Sequence, residues 1–233
     1  MATRSPRGFT LIEVLVAIAV MALMALMSWR GLDAMLRTQT ALQQRADEVR
    51  TLQTGLAQWQ TDLNRLSLLP GAPSWDWDGK VLRLTRDDVP ASQGVRVVAW
   101  TWRPDASRPG GGDWLRWQSP SLRGTSDWQQ AWQNARTWSQ TPTPSLRNAE
   151  VNIHPLAGWQ LFVYRGGGWT NPLSSDASLP ASTPQGAAPS PASALNTKVP
   201  DGVRLVLDLP VFAPVAGRLT LDWVRPNLSG SGP

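Results

Sequence analysis

Apolar positions open the chain as an unbroken run. Phe9 to Trp29, FTLIEVLVAIAVMALMALMSW, is 21 residues with a single charge, Glu13. Some 20 apolar residues in a helix cross about 30 Å of hydrocarbon, so the run is long enough to span a bilayer. The helical pattern continues past it. No proline falls between Pro6 and Pro70, and Gly31 and Gly55 are the only glycines from Phe9 to Leu68. Val49, Leu52, Leu56, Trp59, Leu63 and Leu66 recur at spacings of 3 and 4, the period of one helix face. Asp47, Glu48, Arg50, Gln53, Gln58, Gln60, Asp62 and Arg65 fill the other side. Met35 and Leu42 extend the apolar stripe weakly. The pattern predicts one helix from about Phe9 to Leu68, roughly 60 residues and about 90 Å long. Its downstream stripe is expected to pack on the protein's own domain rather than on a coiled-coil partner.

Past Leu68 the texture changes. Pro70 and Gly71 end the helix, and short strand-like runs follow. They are Val81–Thr85, Val95–Arg103, Trp114–Gln118, Trp159–Arg165, Val203–Leu209 and Leu219–Val224, several with period-2 alternation. DWDG, RPDASRPGGGD and RGGG supply the turns. One short helix is predicted at Asp127–Trp138, with Asp127 as its cap and Trp128, Trp132, Ala135 and Trp138 on one side. Residues 173–197 are rich in Ser, Ala and Pro and read as a flexible loop. The last residues, 229–233, read as a disordered tail. The fold class is α+β: a long N-terminal helix packed on an antiparallel β-sheet domain.

Composition narrows the chemistry. The 233 residues suit one domain of roughly 100–200 residues plus an extension. Cysteine is absent, which excludes disulfides, thiolate nucleophiles and Cys-ligated metals. His154 is the single histidine, so no multi-His metal site can form. It lies in NIHPLAG without a nucleophile-elbow context and reads as a structural or surface residue. Asp76 and Asp78 in DWDGK echo two positions of a calcium loop, but the fragment is short and reads as a turn. There is no P-loop. No catalytic residue, cofactor or metal ligand is assigned, and the chain is not expected to be an enzyme. Net charge is +5, with Arg spread from Arg4 to Arg225, usually near an Asp. A nucleic-acid binder clusters its charge on one face, so nucleic acid is not an expected partner. Tryptophan, 14 against 3 Phe and 1 Tyr, carries two readings. It is core filler, or, beside Arg in WTWRP, WLRWQ and DWVRP, part of a glycan- or single-strand-binding surface. Core filler is the expectation; an exposed indole stripe would favour the other.

The basic head, with Arg4 and Arg7, precedes the apolar run, and the positive-inside rule keeps that end cytoplasmic. Three readings fit. A secretory signal peptide has Ala17-x-Ala19 to offer, but cleavage there leaves VMALMALM at the new terminus. A plain membrane anchor leaves Glu13 unexplained, since intramembrane carboxylates usually have a partner. The third reading is a resemblance. RGFTLIEVLVAIAVM resembles the class III signal of type IV pilins and pseudopilins. That resemblance implies cleavage by a prepilin peptidase after Gly8, N-methylation of Phe9, and Glu13 as the assembly residue. Glu13 would then pair with the N-terminal amine of a neighbouring subunit, and in a low dielectric that pairing sets register.

The body of the chain adds to it. LQTGLAQWQTDLNRL, WRP, DWLRWQSP, GWQLFVYRGGGWTNPLSS, VPDGVRLVLDL and GRLTLDWVRP occur in an order similar to the J-type minor pseudopilins of type II secretion (the GspJ/PulJ family). The implied division is a leader at 1–8, a transmembrane and assembly half-helix at 9–29, an amphipathic half at 30–68 and a β-rich periplasmic domain at 69–228. The resemblance implies a subunit near the tip of a pseudopilus, with I-type and K-type minor pseudopilins, the major G-type, prepilin peptidase and the inner membrane as partners. Secreted protein substrates are a further implied contact. Retained Glu13 implies a position below the topmost subunit. A minor pilin of a type IV pilus (PilW-like) and a membrane-anchored glycan- or DNA-binding domain stay open as alternatives.

Overall fold

The computed structural model describes residues 8–90, 94–165, 167–173, 199–211 and 213–226. The expected loop at 173–197, Leu173 aside, and the tail at 229–233 lie outside them, as do residues 1–7 of the expected leader. Helix α1 runs Leu11–Asn64, two residues short of the expected start and four short of the expected end. The chain forms two compact units, Met1–Glu48 and Val49–Pro233. In the described part of the first, α1 carries the apolar run. The second holds the last turns of α1 and every other element.

Five strands form one antiparallel sheet, in the order β1-β2-β3-β4-β5. They are Trp75–Trp77, Val81–Asp87, Val95–Pro104, Gly112–Gln118 and Glu150–Leu156. A second antiparallel sheet has the order β7-β6-β8-β9. Its strands are β6 at Gly158–Arg165, β7 at Gly168–Thr170, β8 at Gly202–Leu209 and β9 at Gly217–Val224. Helix α2, Thr125–Gln140, and the one-turn α3, Pro144–Arg147, lie between β4 and β5 in sequence. The architecture is α+β and pilin-like, a long N-terminal helix followed by antiparallel sheets. The strand-bearing part divides into two sheets where one was expected. The second sheet is closed by the pairing of β6 with β8, residues far apart in sequence.

The alternation of strands has a clear physical cause in each sheet. Residues i and i+2 share a face, so Leu82, Leu84, Val98, Trp100 and Trp114 turn inward together. There they meet Leu52, Trp59 and Leu63 of α1 and the inner residues of the second sheet, Leu161, Val163, Val203, Leu205 and Leu207. The opposite face of the first sheet, Val81, Val97, Ala99, Leu115 and Trp117, packs on Trp128, Ala131, Trp132, Ala135 and Trp138 of α2. With both faces covered, β2 and β4 read as nearly continuous buried runs. α2 starts from Gly124, whose side makes no cap; Asp127, expected as the cap, instead sits in the first turn, where a carboxylate complements the helix dipole.

Gly55 lets α1 run close against Trp114 of β4 and Ile153 of β5. A Cβ added there would lie 2.1 Å from Cγ2 of Ile153 and 3.3 Å from the Trp114 ring. Gly31, on the same helix, has nothing within 4 Å. Gly55→Ala is therefore expected to lower stability by about 1–3 kcal/mol through overpacking, against a helix-propensity gain of about 1 kcal/mol that Gly31→Ala shows alone. Urea titration followed by tryptophan fluorescence checks both: a lowered midpoint for Gly55→Ala and no lowering for Gly31→Ala.

Candidate functional site

The start of α1 is built by three residues. Gly8 and Phe9 precede the helix and are exposed, Phe9 at 88%. Thr10 stands at the cap position. Its backbone N–H and its hydroxyl both donate to Oε2 of Glu13, each at 2.9 Å, and the Glu13 N–H lies 3.4 Å from the Thr10 hydroxyl. The first turn of a helix leaves N–H groups without partners, and this reciprocal capping box fills two of them. Charge pattern alone does not single out Thr10; the Thr-x-x-Glu spacing ahead of an apolar run is the signal that finds it. Downstream the apolar side chains from Leu11 to Trp29 are exposed, and none of the apolar window is buried inside the protein. A long apolar helix near the N-terminus, uncovered by its own chain, fits membrane anchoring.

A second charged centre lies inside the strand-bearing unit. Asp62 sits on the buried side of α1, fully inaccessible, where the sequence pattern had placed it on the polar side. Its spacing from Trp59 and its neighbour Leu63 put it at the edge of the apolar stripe. Oδ2 accepts from Trp100 Nε1 at 3.0 Å and Arg116 Nε at 2.8 Å. Oδ1 accepts from Arg116 Nη2 at 3.0 Å, Arg86 Nη1 at 2.9 Å and Gln58 Nε2 at 2.8 Å. Two guanidinium groups and an indole thus surround one carboxylate, and burial lowers the pKa of Arg86. Sequence reading missed this because a lone Asp is assigned to solvent by type, and its cations stand 24 and 54 residues away. The arrangement is a structural lock with no open face for a substrate.

The remaining candidates fall elsewhere. His154 is buried on β5. Asp76 and Asp78 do not converge: Asp76 on β1 binds Arg83 through Nε at 3.0 Å, while Asp78 accepts the Lys80 and Val81 N–H groups at 2.9 Å in a turn. Nine of the fourteen tryptophans are buried, in the clusters on the two faces of the first sheet, and Trp77, Trp102 and Trp159 pack against the cluster that includes α1. The strongly exposed Trp29, at 71%, lies on the apolar start of α1. No exposed indole stripe forms, which is the core-filler outcome. Arginine does stack on indole, but across elements: Arg83 on Trp132, Arg103 on Trp138, Arg116 on Trp100 and Arg204 on Trp169. Asp88 is held by Arg96 at 2.9 Å, by the Ser121 hydroxyl and by the Val89 N–H. These bonds, Arg96 first, hold its pKa well below the usual carboxylate range.

The model of the prokaryotic N-terminal methylation motif matches residues 3–29. The match covers the basic head, Gly8, Phe9 and Glu13, and indicates a pilin-like protein with a class III signal, of the type IV pilin or pseudopilin kind. It is consistent with assembly alongside other pilins and with processing by a prepilin peptidase. No curated protein matches the chain.

Asp62→Ala leaves the buried Arg116 without its counter-charge and is expected to lower unfolding free energy by about 3–5 kcal/mol. Asp62→Asn, which keeps an acceptor for Trp100, is expected to fall between that variant and the wild type in the same urea titration. Asp88 is depressed in the folded state, so its contribution is present above the unfolded value of about 3.9 and is lost as pH falls through the folded value. Asp88→Asn is expected to lower the midpoint at pH 7, with the gap to wild type closing below about pH 4 in a pH series.

Proposed function

We propose that the chain is a minor pseudopilin of type II secretion, J-type, acting near the tip of a periplasmic pseudopilus to help start its assembly and protein export. The observation that carries this reading is the methylation motif at residues 3–29 with Glu13 inside it, on a helix whose apolar start is bare. The order of the body motifs supports the J-type assignment over other pilin-like subunits. In this reading a prepilin peptidase cuts after Gly8 and Phe9 becomes the methylated N-terminus. The new ammonium then offers a counter-charge to Glu13 of an adjacent subunit. The exposed carboxylate on the first turn of α1 is accessible for that pairing. The domain beyond the membrane lies in the periplasm and meets the I-type and K-type minor subunits and secreted proteins. The role is structural, and no enzyme activity is assigned to it.

Intact mass of the host-made protein is expected to show loss of Met1–Gly8 and one added methyl group; retention of those residues in assembled protein overturns the reading. Glu13→Val is expected to leave membrane insertion intact and to reduce secretion at least tenfold. Detergent-solubilised full-length chain should also co-purify with the I-type and K-type subunits of its host. Co-purification with type IV pilus subunits in their place would assign the chain to a pilus.

A further inference from the structure

β9 ends the second sheet, and the far side of its backbone meets no strand among the described residues. Open strand edges invite pairing with another chain, and proteins blunt them with short strands, prolines, bulges or charges. The other edges described here are blunted. β1 and β7 have three residues each. β5 contains Pro155, and its register with β4 shifts at Trp114/Leu115. β9 has eight residues, no proline, and unbroken register with β8 from Gly217 to Val224. Just past it the Arg225 N–H donates to the Asp201 carbonyl at 3.0 Å. Antiparallel alternation then turns the backbone of Leu219, Leu221 and Trp223 toward β8. The N–H and C=O groups of Arg218, Thr220 and Asp222 stand at the free edge.

The two charges on this edge are complementary to each other. Arg218 binds Asp208 and Asp222 binds Arg204, both across to β8 on the outer face. We propose that β9 pairs with β9 of a second copy of this chain, antiparallel and centred on Thr220. That register sets Arg218 of one copy opposite Asp222 of the other, twice. It sets Thr220 opposite Thr220 and Leu219 opposite Leu221, pairs that stabilise antiparallel ladders. Across the joined sheets the outer face then reads Asp208, Arg218, Asp222 and Arg204, alternating in sign from strand to strand. A slide of two residues either way replaces a counter-charge with Thr220, and a slide of four brings like charges face to face. Charge therefore selects one register, and the pairing closes on itself as a two-fold dimer. This inference does not depend on the secretion reading.

The chain has no cysteine, so single cysteines report cleanly. Directly opposed, hydrogen-bonded residues have Cα atoms about 5.5 Å apart, within disulfide reach. In membranes holding the full-length chain, mild oxidation of Thr220→Cys is expected to give at least tenfold more disulfide dimer than Gln133→Cys on the exposed side of α2. Adding Arg218→Asp, or adding Asp222→Arg, to Thr220→Cys puts like charges opposite one another and should lower the dimer at least fivefold. Expressed together with different tags, those two variants carry matched charges and should regain the dimer between tags, which also shows that both fold. Dimer no greater than the Gln133→Cys reference, dimer indifferent to the charge variants, or a cross-link to a different protein in place of a second copy would each overturn the proposal.

Discussion

The Asp62 carboxylate, buried and met by five donors, ties α1 to one arrangement against the first sheet. A charge sealed from water is tolerated only when every lone pair is met, and here five donors from α1, β2, β3 and β4 meet it. Apolar contacts between α1 and the first sheet are non-directional, and Leu52, Trp59 and Leu63 supply burial there without a requirement for particular donors. The carboxylate has that requirement. Slid by a turn, it would leave these donors, and Arg116 would lose its one carboxylate contact among the described residues. Net stability gained from such a pair is small compared with an apolar substitute; what it imposes is a penalty of several kcal/mol on other registers.

Around that lock the tryptophans give the core its bulk. Trp59 meets Trp100 edge-on at 5.3 Å, and Trp100 lies 4.8 Å from Trp114 at a shallow tilt. These are favoured geometries for rings with negative faces and positive edges. Four buried indole N–H groups also find partners: Trp100 on Asp62, Trp128 on the Thr85 hydroxyl, Trp138 on Glu150 and Trp223 on Asn64, while those of Trp59, Trp114 and Trp117 are buried without one among the described residues. Large rings with one polar handle each explain how a domain with few Phe and Tyr still fixes its side chains in defined orientations.

Much of this was legible in sequence where the signal is local. The long helix followed from the 3–4 spacing of Leu52 to Leu63, and six strands from apolar alternation. α2 followed from Trp128, Trp132 and Trp138. β1 and β7 escaped because three residues carry no period, and β5 because Pro155 argues against a strand, though an edge tolerates one. The split into two sheets depends on β6 finding β8, and no local residue signals a pairing of that span. Asp62 escaped for the same reason, since its meaning lies in Arg86 and Arg116. At the N-terminus the reverse holds: Gly8, Phe9 and Glu13 form a short contiguous motif, so that candidate site could be read from the sequence directly, and Thr10 carries a local signal too, its Thr-x-x-Glu spacing to Glu13.

The two sheets differ in how they are covered, and that difference reaches into their fluctuations. β3 is paired on both sides and roofed on both faces, by the α1 core and by α2. Its amides reach solvent only when the whole unit opens. The second sheet carries the Arg204–Asp222 and Arg218–Asp208 pairs on its outer face and has β9 at its rim, where opening needs only a few hydrogen bonds to break. Amide hydrogen exchange should therefore be graded across one domain, slowest at Val97–Trp100 and fastest along β9. The strand with the free edge also carries Trp223, whose indole N–H donates to Asn64 of α1, so a fluctuation that starts at the rim is felt at the end of the long helix.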